Sequence, residues 1–156
     1  MNIELEQAKL EDAEAILTMQ VKSFKPLLKK YQDYHASPAN ESIVRVVKRI
    51  SNPKGAFYKI LLDKKMVGAI CIARHGEAIW ISPMFIAPDY QGRGIAQKTL
   101  DMLEMMYDEF KIWELATLQE EVGNCYLYEK IGYVKTGIVK EINERATLVY
   151  YKKFIQ

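Results

Sequence analysis

The spacing of apolar and polar residues divides the chain into segments of strand-like and helix-like periodicity. Asn2–Ala8 predicts a strand, and from about Glu11 the apolar residues recur at helical spacing. Pro26 predicts an interruption of that helix, because proline lacks an amide donor. Tyr31–Asn40 is rich in turn residues and predicts a loop, in which Ser37-Pro38 favours the start of the next helix. The apolar positions of these two helices are Ala13, Ile16, Leu17, Val21 and Phe24, then Ile43, Val46, Val47 and Ile50.

The middle of the chain changes to β-type periodicity. Ala56–Leu62, Met66–Ala73 and Ala78–Ala87 are apolar runs with strand-forming residues. Short polar turns, Asp63–Lys65 and His75-Gly76, separate them. The pattern predicts an antiparallel meander of three strands.

The last third begins with the most regular helical pattern, from Arg93 onward. Ile112–Leu118 then predicts a strand, Val122–Ile131 a short helix ended by Gly132, and the remaining residues two strands. The predicted order is β-α-α-β-β-β-α-β-α-β-β, an α+β class whose mixed central sheet combines the antiparallel meander with one parallel strand-helix-strand crossover. The apolar face of the first of these helices is Ala96, Leu100, Leu103, Tyr107 and Phe110.

Composition narrows the function classes. With 156 residues, 49% hydrophobic and 27% charged, the chain suits one globular domain over residues 1–156. A net charge of +2 argues against nucleic acid as a partner. No apolar run reaches the roughly 18 residues of a membrane span, and the first residues do not resemble a signal peptide, so we expect a cytoplasmic protein with no membrane partner. Cys71 and Cys125 have no metal-ligand spacing, so we expect buried thiols and no metal.

The stretch PDYQGRGIAQKTL, residues 88–100, places two glycines between a strand and a helix start. Unpaired amides and the positive end of the helix dipole favour an anion at such a place. A Walker-type loop and a dinucleotide-binding fingerprint both require glycine where this chain has Gln97, and both follow a parallel strand rather than a meander. Neither motif fits.

A third pattern does fit. Gln91, Gly94 and Ala96 match the signature Q/R-x-x-G-x-G/A that opens a helix in the GNAT superfamily of acyl-CoA-dependent N-acyltransferases, which the chain resembles over its whole length. Leu127–Tyr133, LYEKIGY, resembles the downstream L-Y-E-K-x-G-F/Y segment of that family. The resemblance implies a GNAT-like sheet flanked by helices, and acetyl-CoA as co-substrate.

The resemblance also implies roles for individual residues. The amides of the glycine-rich stretch would bind the coenzyme A diphosphate, and the backbone of the preceding strand the pantetheine arm. Pro83 supports the second role independently, since a proline inside a strand predicts a bulge or loosened pairing that frees amides. The residues implied in coenzyme binding are Met84, Phe85, Ile86, Gln91, Gly92, Arg93, Gly94, Ile95, Ala96 and Asn124.

The resemblance implies that Tyr128 is the catalytic acid. A phenol of pKa about 10 protonates a thiolate of pKa about 8.5 at a cost of only ~2 kcal/mol. The alternative is a core aromatic at the end of a helix. No base is assigned: the strand before the signature has no acid, Glu114 is predicted to face solvent, and His35 and His75 to lie in exposed turns.

Two functions remain open. The first is an N-acetyltransferase that moves an acetyl group from acetyl-CoA to a primary amine of a small molecule or peptide by direct attack. The second is a non-catalytic acyl-CoA-binding or sensing module. The assembly state is left open between a monomer and a homodimer. Four residues of the loop, aromatic or acidic and suited to a cation, are expected on the acceptor side: Tyr31, Asp33, Tyr34 and His35.

Overall fold

A computed structural model describes residues 1–156. Its elements follow the predicted order of seven strands and four helices. The strands are β1 Ile3–Gln7, β2 Gly55–Leu62, β3 Lys65–His75, β4 Ala78–Ile86, β5 Ile112–Leu118, β6 Val134–Asn143 and β7 Ala146–Phe154. The helices are α1 Ala13–Tyr31, α2 Ile43–Ser51, α3 Ile95–Met106 and α4 Val122–Lys130.

All seven strands belong to one sheet in the order β1-β2-β3-β4-β5-β7-β6. Every neighbouring pair is antiparallel except β4 and β5, which are parallel and joined through α3. A parallel pair needs a crossover connection, and the amphipathic α3 supplies it. The predicted α+β class with a meander and one crossover is confirmed.

Helices cover both faces of the sheet, and each face has its own core. Ile16 of α1 and Val46 of α2, both fully buried, pack against Phe57 and Phe85 on one face. Leu100 and Leu103 of α3 pack on the other face around Trp113. The predicted apolar faces of the helices therefore do form the core. Cys71 and Cys125 are buried free thiols, as expected.

Three predicted helix boundaries were wrong. Helix α1 continues through Pro26 to Tyr31, because the buried end of the helix is held by packing, which outweighs one lost amide donor. Ser37-Pro38 opens a single 3-10 turn, Pro38–Asn40, and α2 begins only at Ile43. Helix α3 ends at Met106, so the last two residues of its predicted face, Tyr107 and Phe110, lie beyond the helix. None of the helices is long and apolar enough to span a membrane.

Candidate active site

The two parallel strands at the centre of the sheet separate along their length. β4 and β5 pair only over Ala78–Trp80 and Ile112–Glu114. Beyond these residues no ladder joins them, while each strand stays paired to its other neighbour. A cleft therefore opens between the carboxyl-terminal halves of β4 and β5.

A bulge in β4 lies beside this cleft. The register of β4 on β3 shifts between Ile81, opposite Ile72, and Met84, opposite Ile70, so that Ser82-Pro83 contains one extra residue. The bulge predicted from Pro83 is confirmed. Extra residues of this kind bend a strand and interrupt its ladder.

The backbone groups of β4 after the bulge alternate in direction. The amide of Ala87 donates to Val67 on β3 at 2.7 Å, whereas the carbonyl of Ile86 accepts from the Gln91 side chain at 2.9 Å. Because alternate residues of a strand present their groups to opposite edges, the groups of Met84 and Ile86 face the cleft edge and those of Phe85 face β3.

The cleft contains a cavity of about 230 Å³. Its wall combines the separated halves of β4 and β5 with α4, the first half of β7, the last turns of α1 and the segment after α1. Two carboxylates, Asp33 and Glu121, contribute to the wall, which contains no lysine, arginine or histidine. The other residues that matter for its chemistry are Trp80, Ser82, Met84, Thr117, Asn124, Tyr128 and Tyr150.

Tyr128 reaches the cavity from α4 and is 9% exposed. Its ring packs against Tyr133 and Tyr151, with centroids 5.9 and 6.2 Å away. Its hydroxyl makes no hydrogen bond within the protein, and burial raises the pKa of Tyr128 well above that of a free phenol. A phenol in such a place stays protonated at neutral pH and is free to donate to a ligand in the cavity.

Asn124 lies one helical turn before Tyr128 and also lines the cavity. Its side-chain amide is 3.5 Å from the hydroxyl of Thr117 on β5. Residues four apart on a helix share a face, which places Asn124 and Tyr128 on the same side of α4. Glu121, just before α4, accepts a hydrogen bond from the Tyr31 hydroxyl at 2.5 Å.

The glycine-rich stretch lies beyond the end of β4, outside the wall of the cavity. The consecutive amides of residues 92–97 donate no hydrogen bond within the protein, and the first closed helical bond runs from Lys98 to Gly94 at 3.1 Å. No side chain caps α3 either. An array of free amides at a helix N-terminus matches what a diphosphate needs.

The conformation of this stretch depends on its glycines. Gly92 and Gly94 have φ of 75° and 81°, a region that other residues occupy at a cost, and a Cβ at either would meet no atom within 4 Å. The side-chain Nε2 of Gln91 donates to the Ile86 carbonyl and so ties the loop to β4, and the Arg93 guanidinium lies 5.0 Å from the centroid of the Tyr90 ring. These contacts hold the loop in a conformation in which the amides of residues 92–97 have no partner within the protein.

The remaining candidates for a base lie away from the cavity. Glu114 pairs with Lys152 at 3.4 Å and with His75 at 3.4 Å, at the paired end of β4 and β5. The expectation that Glu114 faces solvent holds only partly, because its side chain is 20% exposed. Glu121 lines the cavity, and its carboxylate is held there by the hydroxyl of Tyr31, 90 residues earlier in the sequence.

Comparison with known proteins agrees with this geometry. The family model described as acetyltransferase (GNAT) domain matches residues 53–135. No curated protein matches the sequence significantly. Solved structures similar over the whole chain include the ribosomal-protein-S18-alanine N-acetyltransferase of Escherichia coli, with a TM-score of 0.80, 14% identity and coverage of 99% of this chain and 95% of that one.

Two further similar structures are of acetyltransferases whose names mention coenzyme A or spermidine. The PaiA N-acetyltransferase of Thermoplasma acidophilum, in complex with coenzyme A, has a TM-score of 0.68 at 17% identity and covers 99% of each chain. A chimera from Vibrio cholerae spermidine N-acetyltransferase and hSSAT has a TM-score of 0.77 at 18% identity, covering 99% of this chain and 96% of that one. At such identities the structures establish the fold, and the family model, which spans more than half of the chain, establishes the family. The chain belongs to the GNAT family of acetyltransferases.

Proposed function

We propose that this acetyltransferase transfers the acetyl group of acetyl-CoA to a primary amine by direct attack within the cleft between β4 and β5. The observation that carries the proposal is the combination of the free amides of residues 92–97, just beyond the end of β4, with the unpartnered hydroxyl of Tyr128 in the cavity beside β4. Coenzyme A complexes of similar structures support the choice of donor.

The free amides of residues 92–97 bind the diphosphate, with Gly92 and Gly94 allowing its close approach. The cleft-facing backbone groups of Met84 and Ile86 bind the amide groups of the pantetheine arm. Phe85 holds its position from the opposite face, where it is buried against Phe24 of α1 at a centroid distance of 5.9 Å. Asn124 is positioned to reach the arm beside Tyr128.

Acetyl-CoA supplies a thioester, whose C–S bond breaks as the amine nitrogen forms a C–N bond to the carbonyl carbon. Tyr128 gives its proton to the leaving sulfur. The attacking nitrogen releases a proton as the amide forms, and this proton returns through water to the Tyr128 phenolate. The amine must first lose its extra proton, which at pH 7 costs about 4.6 kcal/mol for a pKa of 10.4, and it passes the proton to solvent through the open cavity. The buried thiols Cys71 and Cys125 take no part, because neither lines the cavity.

Residues 1–156 act as one domain in this proposal. The cytoplasm is the proposed location, because acetyl-CoA is the donor and both cysteines are free thiols. The acceptor is a small molecule or peptide amine, as the range of substrates named for similar structures supports. We propose no nucleic-acid or membrane partner, and a homodimer remains an alternative to a monomer.

A screen of amines separates an enzyme from an acyl-CoA-binding module. The protein is incubated with acetyl-CoA and a panel of monoamines, diamines and peptides, and released thiol is measured. Thiol release that depends on an amine, with an acetylated product identified by mass, is the expected result. Tight coenzyme binding without amine-dependent release would favour the sensing module.

A further inference from the structure

Asp33 is a carboxylate of the cavity wall whose charge nothing in the protein compensates. The residue is 6% exposed, and its Oδ1 is buried without a hydrogen-bond partner. No ion pair of the structure involves Asp33, in contrast to Glu121, which contacts Tyr31 and lies 3.6 Å from the Lys30 ammonium. Burial raises the pKa of the Asp33 carboxyl above its usual value. An ionised Asp33 therefore lacks a cation.

The backbone around Asp33 is held in place. Gln32 ends α1 in the left-handed region, and the Asp33 carbonyl accepts from the Ser37 amide at 2.8 Å. The Asn143 side chain, at the end of β6, donates to the carbonyls of Tyr31 and Gln32 at 3.0 and 3.3 Å. The position of the carboxylate is thus fixed by distant parts of the chain rather than by a mobile loop.

The position of Asp33 relative to Tyr128 bears on what it binds. The hydrogen bond between Tyr31 and Glu121 ties the end of α1 to the start of α4. Tyr128 lies seven residues after Glu121, about 10 Å further along the helix at 1.5 Å per residue. Asp33 follows Tyr31 by two residues in the chain and contributes to the wall of the same cavity as Glu121 and Tyr128. The wall also contains apolar side chains suited to methylene groups: Phe24, Leu27, Pro38, Leu115, Leu118 and Leu148.

We propose that Asp33 binds a second ammonium group of the acceptor, distal to the amine that is acetylated, so that the acceptor class is a linear diamine or polyamine. The inference rests on the proposed function only for the amine that is acetylated; binding of the second ammonium group to Asp33 does not require acetyl transfer. An ammonium at Asp33 would supply the missing charge and a charge-assisted hydrogen bond. The aliphatic chain of the ligand would lie against the apolar wall, and the second amine would remain near Tyr128.

Calorimetric titration tests this without requiring turnover. Linear diaminoalkanes from diaminobutane to diaminooctane, and monoaminoalkanes of matching length, are titrated into the protein saturated with coenzyme A. We expect the best diamine to bind about tenfold more tightly than its monoamine. Asp33→Asn should weaken the diamine about tenfold and leave the monoamine within about twofold. Glu14→Gln, which removes one charge from an exposed residue on α1, should change neither.

Thermal unfolding accompanies each titration. Asp33→Asn should be at least as stable as the wild type, because it removes a buried unpaired charge. A second variant, Asp33→Ser, should show the same selective loss of diamine affinity. Equal affinity for diamines and monoamines, equal loss of both in the variants, or no amine binding would overturn the inference. Absence of acetyl transfer despite selective diamine binding would instead contradict the proposed function, so the two failures are distinguishable.

Discussion

Replacing Tyr128 by phenylalanine separates its chemical role from its packing role. The change removes one oxygen and keeps the ring, whose contacts with Tyr133 and Tyr151 at 5.9 and 6.2 Å are unaffected. The hydroxyl makes no hydrogen bond in the free protein, so the loss breaks none. We expect the free energy of unfolding to change by less than about 1 kcal/mol, and coenzyme affinity to be retained.

The effect on turnover follows from the lost proton. General acid catalysis contributes typically 10² to 10⁴ in rate, about 2.7 to 5.4 kcal/mol of barrier. Burial keeps the pKa of Tyr128 far above neutral, so the wild-type phenol holds its proton throughout the neutral range. Single-turnover acetyl transfer to the best amine should therefore fall by roughly that factor.

Tyr133 provides a matched control. It is 1% exposed, its hydroxyl also lacks a partner, and it lies outside the wall of the cavity. Tyr133→Phe makes the same chemical change in the same aromatic cluster and should leave turnover unchanged. A Tyr128→Phe rate within threefold of the wild type, or an equal fall in Tyr133→Phe, would refute the assignment of Tyr128 as the acid.

Three further predictions concern the anion loop, a buried thiol and a partly buried ion pair. Gly94→Glu should raise the coenzyme dissociation constant at least tenfold, about 1.4 kcal/mol by calorimetry. Gly76→Glu is the control for backbone strain, because Gly76 also has a positive φ, 64°, and a Cβ there would meet nothing within 4 Å; this variant should leave the dissociation constant unchanged. Burial raises the pKa of the Cys71 thiol from 9.0 to about 11, so the thiol ionises at lower pH in the unfolded chain and the free energy of unfolding falls as pH rises from 9 to 11. Cys71→Ala lacks this thiol, so in urea unfolding its free energy of unfolding should fall by up to about 3 kcal/mol less than that of the wild type over the same interval. Equal falls in the two proteins would contradict the prediction. Glu41 accepts two hydrogen bonds from the partly buried Arg49 guanidinium, at 2.5 and 2.8 Å, so Glu41→Gln should lower the free energy of unfolding by about 2 kcal/mol. A change below about 1 kcal/mol in urea unfolding would show that the pair contributes little.

Periodicity and motif spacing predicted the order of the elements, the crossover and the bulge at Pro83, because each depends on local pattern. They failed at Pro26. The helix continues past this proline because its last residue, Tyr31, is buried and donates a hydrogen bond to Glu121, 90 residues later in the sequence. The glycine-rich stretch was recognisable because positive φ and a helix start leave a signature in residue types. The burial of Asp33 left no such signature, since the segment that contains it is held by residues distant in sequence, such as Asn143, which donates to the carbonyls of Tyr31 and Gln32.

The central claim is that one cleft binds the donor through the amides of residues 92–97 and passes the acetyl group directly to an amine. A single-turnover experiment with acetyl-labelled acetyl-CoA and the best amine tests it most directly, with label followed by mass in both the product and the protein. The account predicts that label appears in the amine in step with thiol release and that none is found on the protein. Label on a protein side chain before it reaches the amine, or thiol release at the same rate without amine, would contradict it.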